Sequence, residues 1–401
     1  MKFGIFTYGS RGDVQPYIAL ALGLLEKGHE VLLAGPVNHR TFVEDYGVEF
    51  YSLHGDFDEI LFSHQGRDTL DKGRPVDFVS YLMNALHDIR IPLEDGFLDC
   101  SKRVDVLIVS NPLIFKADVV GKKLDKKWAM VEVNMPILKP MEEFPPIDIG
   151  LIMKETNEFC RRLDLPENNG FVFQNMNRDN ILHLYGFSPA LFAPPDNWNK
   201  NTRLTGFFTL PGQKRADNPM DHNPPELEAW MSSGPKPIFI GFGSIGPSLT
   251  QVLSPIITDL LQSSPERIAL CTGRDMPHLP DHQNLLMFRQ CNHDWLLPKC
   301  KAAVFHGGAG TLAATLRAGI PAIVASLFGD QPLSGEVVVE KGIGVHIPWK
   351  RMNAEKLREA FVQIGEPRIL DNVAAVGSRI NREDGVATAV KDIEEYFCST
   401  S

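Results

Sequence analysis

His306-Gly307-Gly308-Ala309-Gly310-Thr311 is the segment best suited to holding an anion. It follows an apolar run, Ala302 to Phe305, and opens a helix-forming stretch that runs to Arg317. Glycines let backbone N–H groups approach a ligand closely. A helix start adds unpaired donors and roughly half a positive charge, which suits phosphate. Thr311 can donate its hydroxyl or cap the helix. His306 can donate to a phosphoryl oxygen, where a leaving diphosphate would gain charge. The plain alternative is a tight strand-to-helix turn with His306 as a satisfied polar residue.

Asp330 and Gln331 follow a second strand-like run, Ala322 to Ala325. A carboxylate beside an amide accepts and donates in adjacent directions, as a reader of sugar hydroxyls must. Asp330 also fits as the cap of a helix from Pro332 to Glu340. Near the N-terminus, Gly9-Ser10-Arg11-Gly12-Asp13 bridges a strand, Lys2 to Phe6, and a helix predicted from Pro16 to Lys27. Gly9 and Gly12 would tighten that loop and aim Asp13 outward, or Asp13 would only start the helix. Gly241-Phe242-Gly243-Ser244-Ile245-Gly246 fits the dinucleotide pattern, with Asp275 somewhat beyond the usual acidic position. Asp56-Phe57-Asp58 has the form of a metal-holding pair of carboxylates, although charged loop residues are the simpler explanation.

Alternating strands and helices must position these residues. Strands are expected at Glu30 to Ala34, Val104 to Ser110 and Trp128 to Val133, and the pattern restarts at Pro237 to Phe242 and Arg267 to Thr272. Such alternation predicts an α/β fold of two Rossmann-like doubly wound domains facing across a cleft. The expected boundaries are 1–210, a linker at 211–235, 236–375, and a closing helix in 376–401 that crosses back to the first domain. Ligands bind beyond the carboxyl ends of parallel strands, where all the loops above lie.

The 401 residues are 43% hydrophobic and 22% charged, with a formal charge of −10. Disorder is excluded, and nucleic acid is an unfavoured partner for so acidic a surface. No run approaches the ~20 apolar residues of a membrane span, which leaves only peripheral membrane contact open. Six scattered cysteines predict reduced thiols and a cytoplasmic protein.

Asn292-His293-Asp294-Trp295-Leu296-Leu297-Pro298, His306-Gly307-Gly308-Ala309-Gly310-Thr311, Arg317-Ala318-Gly319-Ile320-Pro321 and Phe328-Gly329-Asp330-Gln331 occur in that order. Together they resemble the nucleotide-sugar-dependent glycosyltransferases of the GT-B fold, in particular sterol glucosyltransferases and bacterial natural-product enzymes. The resemblance implies that His306 and the Gly308, Gly310 and Thr311 backbone hold the donor diphosphate, with Asp330 and Gln331 on the sugar. It implies Gly243 and Ser244 lining the phosphate or sugar, Ser10 and Gly12 on the donor, and Asp13 as general base. A carboxylate that takes the proton of an acceptor alcohol lowers the barrier to attack. Phe288 falls where such enzymes carry an aromatic against the base, with Arg289 and Gln290 at its edge, or it is a buried strand residue. Ala314 stands where plant members carry a ribose-binding Glu, which leaves the nucleotide less defined.

The resemblance further implies UDP-glucose as donor and an inverting transfer; no metal or other cofactor is expected, because His306 and a helix terminus can replace the cation. Phe57, Phe62, Phe78, Tyr81, Leu82, Met83, Leu86, Met135, Ile137, Leu138, Met141 and Phe144 would flank the acceptor side. They suggest a lipophilic aglycone, if they are not ordinary core. The rivals are an NAD(P)-dependent oxidoreductase using Gly241 to Gly246, and a non-catalytic glycosyltransferase-like auxiliary protein.

Overall fold

The computed structural model describes residues 1–71, 75–135, 149–168, 181–196, 198–218, 222–243, 250–273 and 276–398. Among the described residues seven parallel strands form the first sheet, in the order β3-β2-β1-β4-β5-β6-β7. They are β1 (Lys2–Phe6), β2 (Glu30–Pro36), β3 (Glu49–Leu53), β4 (Val106–Val109), β5 (Trp128–Glu132), β6 (Leu182–Tyr185) and β7 (Thr202–Leu204). A second parallel sheet has the order β10-β9-β8-β11-β12-β13. Its strands are β8 (Ile238–Gly241), β9 (Ile268–Cys271), β10 (Leu285–Phe288), β11 (Ala302–Phe305), β12 (Ala322–Val324) and β13 (Gly344–His346). The strand order reverses between β1 and β4 and between β8 and β11. Each reversal opens a crevice at the carboxyl ends.

The central strands are buried on both faces and read as continuous apolar runs rather than alternating, whereas β6 and the edge strand β7 are mixed. Val106–Val109 and Ala302–Phe305 are buried at every position. One face of the first sheet is closed by Arg11–Glu26 and, from the far end of the chain, by Gly385–Phe397. Ala389, Val390 and Ile393 enter the same cluster as Phe3, Ile18 and Val31. The approach is close: a Cβ on Gly23 would lie 2.5 Å from Val386. His29 to Glu394, at 3.1 Å, and an Arg203–Asp392 ion pair fix its register.

Two expected boundaries shift. The first helix begins at Arg11, not at Pro16, because Ser10 caps it and Asp13 returns a bond to the Ser10 amide. Pro16 sits inside the helix and only forgoes the bond to Gly12. The turn-rich stretch after Pro194 still contributes β7, an edge strand, and two helices, Gly212–Asp217 and Pro225–Ser232, follow. Between β3 and β4 lie Phe57–Phe62, His64–Asp71, Pro75–Asp88 and Arg90–Lys102. This excursion reaches the second domain, where Leu61 and Phe78 pack with Phe242 and Trp349. No described helix is long and apolar enough to cross a membrane.

Ile393 is fully buried between the last helix and the first sheet. Replacing it by Ala should cost roughly 2–4 kcal/mol in urea unfolding. A loss below about 1 kcal/mol would mean the site relaxes around the cavity or that the helix docks loosely.

Candidate active site

β11 delivers His306 to the crevice, and the chain must then turn at once. Gly307 does this with φ +103°. A Cβ there would meet the Gln331 carbonyl oxygen at 2.9 Å and Val324 at 3.0 Å, so only glycine fits. The same contact presses the 306–308 turn against the 330–331 turn. Gly308 is the N-cap of Ala309–Arg317 and no side chain caps that helix. The amides of Ala309, Gly310 and Thr311 therefore lack intrahelical acceptors. Gly310 differs from its neighbours: a Cβ there meets nothing.

The His306 ring lies between two glycines. A Cβ on Gly308 would be 2.5 Å from Nε2, and one on Gly243, at φ +57°, would be 3.2 Å from Cε1. Nδ1 is buried without a hydrogen-bond partner. Burial pulls the imidazole down to about 4, so it is neutral near pH 7. A neutral ring with an orphaned nitrogen is a group set up to meet a ligand.

Asp13 faces this turn from the other domain. Its Oδ2 accepts from the Ser10 amide at 2.8 Å and from the Ser10 hydroxyl at 3.0 Å. A Cβ on Gly9 would sit 2.4 Å from that oxygen. Gly9, at φ +153°, is thus the glycine the loop requires; Gly12 lies in the first helical turn, where a Cβ would meet only the Ser10 hydroxyl oxygen at an ordinary 3.6 Å. Burial raises the Asp13 carboxyl, against the two Ser10 bonds and nearby His39. Oδ1 takes no part in the Ser10 bonds.

Asp330 is raised to about 6, mainly by burial and further by the Asp13 and Glu132 charges, while the Met135 amide donates to it across the domains. Gln331 is buried, and its Oε1 accepts from the Leu327 and Phe328 amides at 2.9 and 3.3 Å. Only its NH₂ is left to donate. Sequence reasoning missed Glu132 at the end of β5. It binds His183 at 2.8 Å and Asn111 at 3.2 Å. No local pattern marks these partners, which come from β5, from β6 and from the turn after β4.

One expectation changes and two open readings are decided. Phe288 is 3% exposed and packs in the core with Leu296 and Phe305, so no ring face remains for a base. Asp56 caps Phe57–Phe62, accepting from the Asp58 and Glu59 amides, and its carboxylate is occupied in that way. Among the acceptor-side residues, Leu61's neighbours Phe62, Phe78 and Tyr81 pack on the second domain's core, Phe78 at 5.1 Å from the Phe328 ring. Phe57 and Leu86 pack on the first domain, and Met135 is buried beside Phe187. Ser244, Ile245, Gly246, Asp275, Ile137, Leu138, Met141 and Phe144 lie outside the described residues. Arg289 and Gln290 are exposed beyond β10.

Residues 3–87 match the glycosyltransferase family 28 N-terminal domain, and residues 268–388 match the erythromycin biosynthesis protein CIII-like C-terminal domain. The sterol 3-beta-glucosyltransferase UGT80B1 of Arabidopsis thaliana is 30% identical over 438 residues, covering 99% of this chain and 68% of that protein. The chain belongs to the GT-B glycosyltransferases. UGT80A2 of the same plant is 30% identical over all of this chain and 66% of its own length. A sterol 3-beta-glucosyltransferase of Yarrowia lipolytica is 29% identical, and the chain spans 28% of it. This glycosyltransferase-family chain therefore covers from about a quarter to about two thirds of these relatives. Two solved structures share its fold: the calicheamicin glycosyltransferase CalG4, with TM-score 0.71, 14% identity and 100% and 99% of the two chains covered, and the kitacinnamycin glycotransferase, with 0.70, 19% and 98% of each. In this family member the Asn292-to-Pro298 motif is a brace: Asp294 pairs with Arg215 at 2.5 Å and with Arg317, tying the connection to the second domain.

Two glycines of this turn, Gly307 and Gly310, should respond oppositely. Gly307→Ala should cost about 2 kcal/mol or more in chemical unfolding, whereas Gly310→Ala should be neutral or stabilise by up to ~1 kcal/mol. Equal effects would contradict the Gly307–Gln331 packing. The His306 proton gives a second check. The folded ring titrates near 4 and a free one near 6.5, so the unfolded chain binds the extra proton in between and stability falls as pH drops through that window. Wild type should lose thermal stability faster than His306→Gln from pH 6.5 to pH 4; parallel curves would show that the buried ring is not the cause.

Proposed function

We propose that the chain transfers a hexose, glucose from UDP-glucose, to the hydroxyl of a lipophilic acceptor, with inversion at the anomeric carbon. The observation that carries this is convergence. Asp13, the uncapped helix start at Ala309–Thr311, His306 and Asp330 meet at two facing crevices, close enough that the Asp13 charge raises Asp330. The sterol glucosyltransferases named above support the acceptor class and the sugar, and a structure of the same fold, SsfS6, was solved with thymidine diphosphate.

The donor diphosphate lies on the Gly308, Ala309, Gly310 and Thr311 amides, with His306 donating to the oxygen that leaves. Those amides are fixed before the reaction, so they stabilise developing charge without reorganising. They replace a divalent cation, and we infer that turnover survives a chelator. Asp330 and the Gln331 NH₂ hold the sugar hydroxyls. Asp330 accepts or donates, since it titrates at about 6. Oδ1 of Asp13 takes the acceptor proton as the oxygen attacks from the face opposite the diphosphate. Its raised affinity for a proton makes it a stronger base than a solvated carboxylate. Glu132, held by His183 and Asn111, adds its charge to those that raise Asp330.

Asp13→Asn tests the base. Asn retains a carbonyl oxygen for the Ser10 donors, so the fold should persist and UDP titration by calorimetry should change by less than about threefold. Turnover with UDP-glucose and a sterol or phenolic alcohol should fall about 10²–10⁴-fold. Near-full turnover would remove Asp13 from the base role, and binding of dTDP but not UDP would change the donor.

A further inference from the structure

β2 ends at Pro36, and the chain turns at once through Val37–His39. β2 lies beside β1, with Ala34 opposite Phe6, so this turn arrives next to the Asp13 loop. His39 is 6% exposed there. Its Nε2 is 3.1 Å from the Gly9 carbonyl oxygen. A carbonyl only accepts, so Nε2 must carry the proton of this ring. The Asn38 Nδ2, 3.4 Å from the same nitrogen, therefore cannot donate to it. Asn38 is held instead by its Oδ1, which accepts from the Phe57 amide at 3.2 Å, and the Val37 amide donates to the Gly55 carbonyl at 3.2 Å. The turn that carries His39 is thus pinned to the 55–57 segment.

The Gly9 carbonyl and the Ser10 amide belong to one peptide unit. That unit is planar and trans, so its C=O and N–H point in opposite directions. The N–H meets Oδ2 of Asp13 at 2.8 Å, and the C=O meets His39. One flat group therefore joins the imidazole to the carboxylate. A donor on the carbonyl polarises the N–H and strengthens its bond. It also fixes the tilt of the plane beside a glycine, which has no side chain to restrict it. Burial pulls the His39 ring below its ordinary value, against the Gly9 carbonyl and the Asp58, Asp13 and Asp56 charges, so the donor is neutral near pH 7.

We propose that His39 is a positioning residue for Asp13, acting through the Gly9–Ser10 peptide to hold Oδ2 and so to fix where Oδ1 stands. This rests on the general-base role proposed above. His39 takes no proton in the reaction; it orients the group that does.

The contact and its effect are tested separately on the full chain. Ring ¹⁵N NMR of the wild type, with the His39 signals assigned by their loss in His39→Gln, should show the proton on Nε2; a proton on Nδ1 would overturn the proposal whatever the kinetics. His39→Leu removes the donor. With UDP-glucose and a sterol or phenolic alcohol its kcat should fall about 10–100-fold, while the UDP-glucose KM and the calorimetric UDP affinity stay within about twofold of wild type. Gln carries an amide N–H about as far from Cβ as Nε2 lies, so His39→Gln should recover turnover to within about threefold. In an Asp13→Asn background His39→Leu should cost less than about twofold more, because the group it orients is gone. Full turnover in His39→Leu, or a His39→Gln enzyme that folds and is as slow as one lacking Asp13, would overturn the proposal. An equal loss in both backgrounds would mark a merely structural role and overturn it too. Near-full turnover of Asp13→Asn would instead defeat the base itself, in a variant that leaves His39 intact.

Discussion

The Gly307 backbone against the Gln331 backbone is the contact on which the site depends. It has no room for a Cβ, and it makes one surface from two turns that follow different strands. Without it, the helix start at Ala309 and the carboxylate of Asp330 would be two loops with independent freedom. Binding both ends of one ligand would then require ordering both. With it, the two turns are held as one surface, and the Oε1 of Gln331 stiffens the second turn from within.

Charge follows from that geometry. Asp13 and Glu132 of the first domain stand near Asp330 of the second, and their charges add to burial in making Asp330 harder to ionise. The counter-devices are local: Ser10 for Asp13, His183 and Asn111 for Glu132, the Met135 amide for Asp330. His306 contributes no positive charge to this balance, since burial keeps it neutral. The crevice thus depends on amide dipoles rather than on ions for its attraction to an anion.

The sequence made the strand-to-helix turns readable because glycine and short apolar runs are local signals. The fold class, the turn at His306 and the loop at Asp13 followed from them. What stayed hidden depended on distance. Nothing near Phe288 says whether its ring faces the crevice or the core; packing against Leu296 and Phe305 decides. Pro16 looked like a helix start, yet the Ser10–Asp13 capping pair lies upstream and prevails. Glu132 and His183 are 51 residues apart and meet only because β5 and β6 are neighbours. Asp56 shows the converse: a two-carboxylate pattern that invites a metal is a helix cap, as the simpler reading has it.

The last helix closes the core of the first sheet rather than that of the second. A ribosome makes β1 to β7 long before residues 385–397 exist. Until those residues emerge, the groove lined by Phe3, Ile18 and Val31 stays wet and sticky. The nascent first half must then wait, incompletely sealed, while some 180 further residues are added, and holdase chaperones would find it during that interval.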